Sequence, residues 1–292
     1  MSWTLDGKTV LITGAARGIG AETARQLRAK GARLALAGLE PDLLEQLAAE
    51  LGGDTAWFDV DVTDREAVEA AVAGAVERFG GIDVVVANAG VAAGGPVGAI
   101  DPDDFERVID VNLLGVWRTI RAALPHVTER RGYVLPIASL AAALHAPMMS
   151  AYCMSKAGVE ALADCLRVEV RPTGTAVGCA YFSFIDTDMV RRGMESAGGQ
   201  RTKERLRGPL KPPPVSVAGA AIVNGIEKRS RHVYAPRWVL PVLYLRTLLQ
   251  PLSERTVKDA ELIETMRLAA AEPGELTTPQ PAPAAAAQRP GG

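Results

Sequence analysis

At 292 residues, 48% hydrophobic and 23% charged, the chain can bury a substantial core and fits one large α/β domain with extensions. Its formal net charge of -2 gives no excess of basic surface for nucleic acid. Three cysteines (Cys153, Cys165, Cys179) lack metal-ligand spacing and three histidines (His126, His145, His232) are dispersed, so reduced thiols and no metal site are expected.

The N-terminus runs into an apolar segment without the core or cleavage signature of a signal peptide, and a cytoplasmic protein is expected. Apolar runs at 10–13, 33–37, 55–59, 84–88, 133–138, 176–181 and 232–235 read as strands. Between them, Ala/Leu-rich stretches at 21–30, 41–51, 65–79, 103–128 and 150–171 read as helices. Strict alternation of this kind predicts an α/β fold with a doubly wound parallel sheet, Rossmann-like, and right-handed crossovers. A ligand is then expected along the carboxyl ends of the strands.

The first strand leads directly into Thr13-Gly14-Ala15-Ala16-Arg17-Gly18-Ile19-Gly20, and a helical stretch follows with Ala24, Leu27 and Ala29 as candidate packing residues. Glycines let a backbone approach phosphates, and a helix N-terminus supplies N–H groups and a favourable dipole. Taken alone, the stretch also suits an ordinary structural turn, because its spacing is Gly-x-x-x-Gly-x-Gly. Farther along, Tyr152 and Lys156 stand four apart, which puts both on one helical face, with Ser139 upstream. A lysine ammonium near a phenol favours the phenolate, so this pair suits proton transfer near neutrality, with Ser139 bonding the oxygen that gains or loses the proton.

With these motifs in order, the chain resembles the short-chain dehydrogenase/reductase family over about residues 5 to 235. The resemblance assigns Gly14, Gly18, Ile19 and Gly20 to the cofactor cradle and Asp61 and Val62 to the adenine. It likewise places Asn88-Ala89-Gly90 after the fourth strand, and Ile185 and Thr187 near the nicotinamide carboxamide. Asn112, Ser139, Tyr152 and Lys156 complete its catalytic tetrad, with Asn112 supporting a relay water and Lys156 both lowering the tyrosine pKa and binding the nicotinamide ribose. The activity implied is hydride transfer between a nicotinamide cofactor and an alcohol or ketone, in a homodimer or homotetramer.

Cofactor choice turns on the end of the second strand, where an acidic residue would favour NAD. The family register puts Gly38 there, and Arg17 matches a position that is often basic in NADP-preferring relatives, so NADP is the expectation. Glu40, reached by counting forward by the general rule, keeps NAD as the alternative.

Residues 188–214 read as a lid, with Met189, Met194 and basic residues that include Arg191, Arg201, Lys203, Arg205, Arg207 and Lys211. Phe182-Ser183 departs from the family's Pro-Gly and adds an aromatic ring near the substrate. The hydrophobic extension at 236–271 contains a segment, 236–252, interrupted by Pro241 and Arg246 and too short for a convincing transmembrane helix. It suits packing over the pocket or between subunits, or peripheral contact with a membrane. Such an extension resembles those of relatives that handle lipophilic alcohols and ketones. The Pro/Ala-rich residues 272–292 are expected to be disordered. A non-catalytic cofactor-sensing regulator and a lipid-binding module remain as alternatives, and turnover separates the enzyme from the regulator.

Overall fold

The structure is a computed structural model that describes residues 3–195, 211–271 and 276. Strand β1 (Thr9–Thr13) passes through the glycine loop into helix α1 (Gly18–Arg28), then β2 (Arg33–Gly38), α2 (Pro41–Leu51), β3 (Thr55–Asp59), α3 (Arg65–Phe79) and β4 (Val84–Ala87). Helix α4 (Pro102–Ile109) continues through a wide π-type turn (Asp110–Gly115) into α5 (Val116–Glu129), followed by β5 (Tyr133–Pro136) and α6 (Ser150–Glu169). After β6 (Ala176–Val177) and β7 (Cys179–Phe182) come α7 (Asp188–Glu195), α8 (Val215–Lys228), β8 (His232–Ala235), α9 (Val239–Arg255) and α10 (Asp259–Ala271).

The sheet is parallel, in the order β3-β2-β1-β4-β5-β6, and an isolated bridge from Ile137 to Ala180 joins the parallel β7-β8 pair to it. Its central strands are buried on both faces because alternate side chains enter opposite layers. Leu11, Ala35, Val85 and Val134 pack with Val72 of α3, Ile120 of α5 and Val159 of α6. Their neighbours Val10, Leu36, Val86 and Leu135 pack with Leu27 of α1, Leu44 of α2 and Ile222 of α8.

Local chemistry accounts for the departures from expectation. The strand expected at 176–181 is split at Gly178, where a Cβ would lie 2.0 Å from the Tyr133 hydroxyl and 2.5 Å from the Ser230 carbonyl. The Tyr133 hydroxyl donates to that carbonyl at 2.7 Å, so the ring occupies the space a side chain would need. The helix expected at 103–128 is interrupted by the π-type turn, and Gly115 at its end lets Val62 approach to within 2.6 Å of where a Cβ would stand. Ala24 and Leu27 are buried as expected, whereas Ala29 falls past the last turn of α1 and is exposed.

Of the segment interrupted by Pro241 and Arg246, residues 239–252 are helical: Pro241 sits in the first turn of α9, where a missing N–H costs little, and Pro251 lies inside the helix near its C-terminal end. Among the described residues no helix is long and apolar enough to cross a membrane. Of the basic residues near this segment, Arg246 pairs with Glu160, Arg231 with Asp164, and Arg229 donates to the carbonyls of Arg131, Gly132 and Gly174. The lid expectation at Arg201, Lys203, Arg205 and Arg207, and the tail expectation apart from residue 276, lie outside the described residues.

Candidate active site

The carboxyl ends of β1, β2, β4, β5 and β7 open onto one cleft. At its floor Gly14 has φ +63°, and a Cβ there would stand 2.7 Å from Ala89 Cα. A Cβ on Gly20 would stand 2.2 Å from the Gly14 carbonyl oxygen and 2.8 Å from Asn88 Nδ2. These contacts demand glycine because backbone cannot yield as a flexible side chain can. Asn88 spends both amide hydrogens on the loop, donating to the carbonyls of Thr13 and Gly14 at 3.0 Å each. Thr13 Oγ1 in turn accepts the Asn88 and Ala89 N–H groups at 3.1 and 3.3 Å. Helix α1 then begins without a side-chain cap, which leaves its first N–H groups and positive dipole end to a ligand. A glycine cradle under an uncapped helix N-terminus fits a dinucleotide pyrophosphate.

Beyond the cradle, Arg17 and Glu40 form an ion pair, with Arg17 Nε 2.7 Å from Glu40 Oε2. Gly38 is buried, and a Cβ there would make only ordinary van der Waals contacts, 3.8 Å from the Ala15 nitrogen and from Leu44 Cδ1, so the backbone does not bar a side chain. Asp61 lines the same end, but its carboxylate accepts Arg107 Nη2 at 2.9 Å together with the Thr63 N–H at 2.9 Å and hydroxyl at 2.8 Å. Burial opposes its charge, yet these donors prevail and hold the Asp61 carboxyl below its ordinary value.

At the other end lie Ser139, Tyr152 and Lys156. Helix α6 carries the last two on one face, and Lys156 Nζ sits 5.7 Å from the centre of the Tyr152 ring. The ammonium, 4% exposed, donates to the Ile137 carbonyl at 2.9 Å, and burial pulls its pKa down to about 8. Burial also pushes the Tyr152 phenol up, with a hydrogen bond from Ser139 pulling the other way. Desolvation is thus the largest influence on both groups. Ser139 Oγ accepts the Ala141 N–H at 3.1 Å and donates to the Phe182 carbonyl at 3.3 Å, which fixes the hydroxyl through the Phe182-Ser183 departure.

Asn112, in the π-type turn, is fully buried and does not line the cleft. Its Oδ1 accepts the Val91 N–H at 2.8 Å, and its Nδ2 donates to the Val91 carbonyl at 2.9 Å and to Ser155 Oγ at 3.2 Å. Both amide hydrogens are therefore committed to protein. Gly20 likewise lies beneath the cleft rather than in its wall, while Gly90 brings its backbone to where a Cβ would be 3.6 Å from Lys156 Nζ. Ile185 and Thr187 do line it, and Gly18 packs toward Thr187.

Thr13 and Ser155 escaped the sequence reading. Ser155 stands within the Tyr-x-x-Ser-Lys run and donates its hydroxyl to the Tyr152 carbonyl at 2.8 Å, tying α6 to Asn112. Thr13 reads as the residue that opens the glycine run at the end of a buried strand, and nothing in that run shows that its hydroxyl accepts the Asn88 and Ala89 N–H groups.

The loop between Ser139 and Tyr152 contains Met148 at φ +63°, a conformation that costs a side-chain-bearing residue about 1 kcal/mol. The Gly95 N–H holds it by donating to the Met148 carbonyl at 2.9 Å.

Comparison with known proteins agrees with this geometry. The family model for short chain dehydrogenases matches residues 8–197. Trans-4-hydroxycyclohexanecarboxylate dehydrogenase of Sinomonas cyclohexanicum is 37% identical over 202 residues, 66% of this chain and 78% of that protein. Dehydrogenase/reductase SDR family member 7B of Bos taurus is 32% identical over 252 residues, 82% of this chain and 77% of that one. A short-chain dehydrogenase/reductase from Burkholderia phymatum, solved in complex with NAD, superposes with a TM-score of 0.72 at 26% identity, covering 86% of this chain and 96% of its own. The family match over residues 8–197 and the breadth of these likenesses leave one family: the chain belongs to the short-chain dehydrogenases/reductases and is an NAD(P)-dependent oxidoreductase.

Proposed function

We propose that the protein interconverts an apolar secondary alcohol and its ketone, with NADP as the hydride carrier. The observation that carries this reading is the meeting of Ser139, Tyr152 and Lys156 in the cleft that the glycine cradle enters. When bound, the nicotinamide cofactor supplies or accepts the hydride. The protein's own residues handle the proton: Ser139, turning its one hydroxyl hydrogen from the Phe182 carbonyl, donates a hydrogen bond to the substrate oxygen, and the Tyr152 phenol gives that oxygen a proton in reduction or takes it in oxidation. Lys156 holds positive charge beside the phenol and offers donors to the nicotinamide ribose. Asn112 acts as a positioning residue, joining the π-type turn, Val91 and α6 through Ser155.

Gly14, Gly18, Ile19 and the α1 N-terminus would take the pyrophosphate, Asp61 and Val62 the adenine end, Ala89 and Gly90 the cofactor's middle, and Ile185 and Thr187 the carboxamide. NADP is favoured over NAD by an unequal competition for Arg17. The pair with Glu40, whose side chains are 32% and 28% exposed, contributes about 1 kcal/mol or less. A 2′-phosphate carries more charge and accepts a bidentate guanidinium, so it displaces Glu40. NAD remains the alternative through Glu40 itself, a reading favoured by the NAD complex of the Burkholderia relative.

An apolar substrate is supported by Phe182, Ile185, Met189 and Val190 on the cleft walls. The Sinomonas relative's name gives a ring-borne hydroxyl, which makes cyclic secondary alcohols the first class to try. A homodimer or homotetramer through α4–α5 and α6 is supported by the exposed apolar Leu114 of the π-type turn, Trp117 of α5 and Met154 and Val168 of α6. The deciding experiment is a panel of cyclic and open-chain alcohols and ketones, followed by nicotinamide absorbance with each cofactor. Cofactor binding without turnover of any member would favour a sensing role instead.

A further inference from the structure

Helix α9 reaches the cleft's surroundings at two points. Arg246 Nη1 donates to Glu160 Oε2 at 2.6 Å, and the other oxygen of Glu160 accepts the Tyr181 hydroxyl at 2.9 Å. Glu160 stands four residues past Lys156 and eight past Tyr152, on the same face of α6. Four residues beyond Arg246, Gln250 grips one backbone position with both ends of its amide. Its Oε1 accepts the His145 N–H at 2.8 Å, and its Nε2 donates to the His145 carbonyl at 3.3 Å. The helix is thus anchored to the helix that carries Tyr152 and Lys156, and from that anchor it holds the loop running from Ser139 to Tyr152.

We infer that Gln250 is a positioning residue for the substrate and that α9 works as a strap over residues 143–149. This rests on the dehydrogenase reading above. The reacting groups do not need the strap: Ser139 is fixed by Ala141 and Phe182, and Tyr152 by α6. The two ends of the loop between them are tied locally, the Ala143 and Leu144 N–H groups donating to the Leu140 carbonyl and the Cys153 N–H to the Met149 carbonyl; between those ends Met148 is held by Gly95, Ala146 by a backbone hydrogen bond to Cys153, and His145 by Gln250. The lining of the cleft passes from Ser139 directly to Tyr152, so the loop that joins them stands behind that wall and reaches a substrate bound there through the placement of the wall. Loosening that loop therefore weakens substrate binding and spares the chemical step, while the cofactor cradle at the far end of the cleft is untouched.

The test compares wild type, Gln250→Ala, Arg246→Met and, as a control on the same helix, Leu248→Ala, whose side chain is 70% exposed. In Gln250→Ala the KM for cyclohexanol should rise about three- to tenfold with kcat within about twofold, the loss expected for one side-chain clasp. NADPH affinity should stay unchanged. Amide hydrogen exchange across 143–149 should quicken, most at His145, because its N–H loses its acceptor. Arg246→Met should move both readouts the same way, and Leu248→Ala neither. Unchanged exchange at His145 in Gln250→Ala overturns the strap whatever the turnover. Faster exchange with an unmoved KM overturns the positioning role. If wild type turns over no member of the alcohol panel with either cofactor, the dehydrogenase reading fails, and exchange alone still decides whether α9 holds the loop.

Discussion

Arg17 and Glu40 face each other across the mouth of the cleft, Nε to Oε2 at 2.7 Å, so the two residues that argue for opposite cofactors are bonded to one another. Neither acts alone. A guanidinium held by a carboxylate is available to a phosphate only if the phosphate competes better, and a carboxylate held by a guanidinium stays charged and able to accept ribose hydroxyls.

Titration of NADP and NAD against wild type, Arg17→Ala, Glu40→Gln and Gly38→Asp separates these roles. Arg17→Ala should weaken NADP by about ten- to a hundredfold, the equivalent of about 1 to 3 kcal/mol, and leave NAD nearly unchanged. Glu40→Gln should tighten NADP, because it frees Arg17 and removes a like charge from the phosphate. Gly38→Asp should reverse the preference, since a Cβ there meets only ordinary van der Waals contacts and its carboxylate would stand where the phosphate would lie. Tighter binding of NAD by wild type, with no selective loss in Arg17→Ala, would transfer the choice to NAD and Glu40.

Tyr152→Phe removes one hydroxyl from a ring that keeps its packing. Turnover should fall by about two to four orders of magnitude, the usual worth of a positioned acid/base, while cofactor affinity and melting temperature hold. Steady-state rates beside a thermal melt check both halves. Substantial residual turnover would refute the assignment.

Motifs were legible in the sequence because each is a short run: the glycine loop, Tyr-x-x-x-Lys and the alternation of apolar strands with helices. What pairs distant side chains was not. Asn88 stands in a recognisable Asn-Ala-Gly run, yet only folding reveals that its amide is spent on the carbonyls of Thr13 and Gly14 rather than on a ligand. Burial of Tyr152 and Lys156 was illegible for a related reason, since sequence proximity displays the charge of Lys156 but conceals the desolvation both groups undergo. The Glu160–Arg246 and His145–Gln250 contacts span 86 and 105 residues, beyond any local pattern.

Gly20→Ala sets two effects against each other. Alanine in a helix gains up to about 1 kcal/mol over glycine. Its Cβ, however, would stand 2.2 Å from the Gly14 carbonyl oxygen, and overpacking against backbone costs about 1 to 3 kcal/mol. The clash should win, lowering the melting temperature by several degrees and weakening both cofactors alike as the cradle shifts. A variant as stable as wild type would mean that the loop yields freely and that Asn88 does not fix it.

Lys156→Met tests whether the buried ammonium is kept at the expense of stability. In the folded protein its pKa is about 8, against 10.5 for the ordinary side chain, so between those values the unfolded chain binds more protons and stability rises with pH. Below about 8 the whole penalty of burying the charge is present, on the order of 3 kcal/mol for this shift. Methionine carries no charge and fills similar space, although it leaves the Ile137 carbonyl without its donor. The stability of Lys156→Met relative to wild type should therefore be greatest near neutral pH and should shrink by about 2 kcal/mol by about pH 9.5, whatever the constant loss at Ile137. Denaturant unfolding of both proteins at the two pH values, without cofactor, measures that change directly. A difference that does not narrow with rising pH would show that Lys156 keeps an ordinary pKa, and would remove the reason for treating its burial as a cost borne for function.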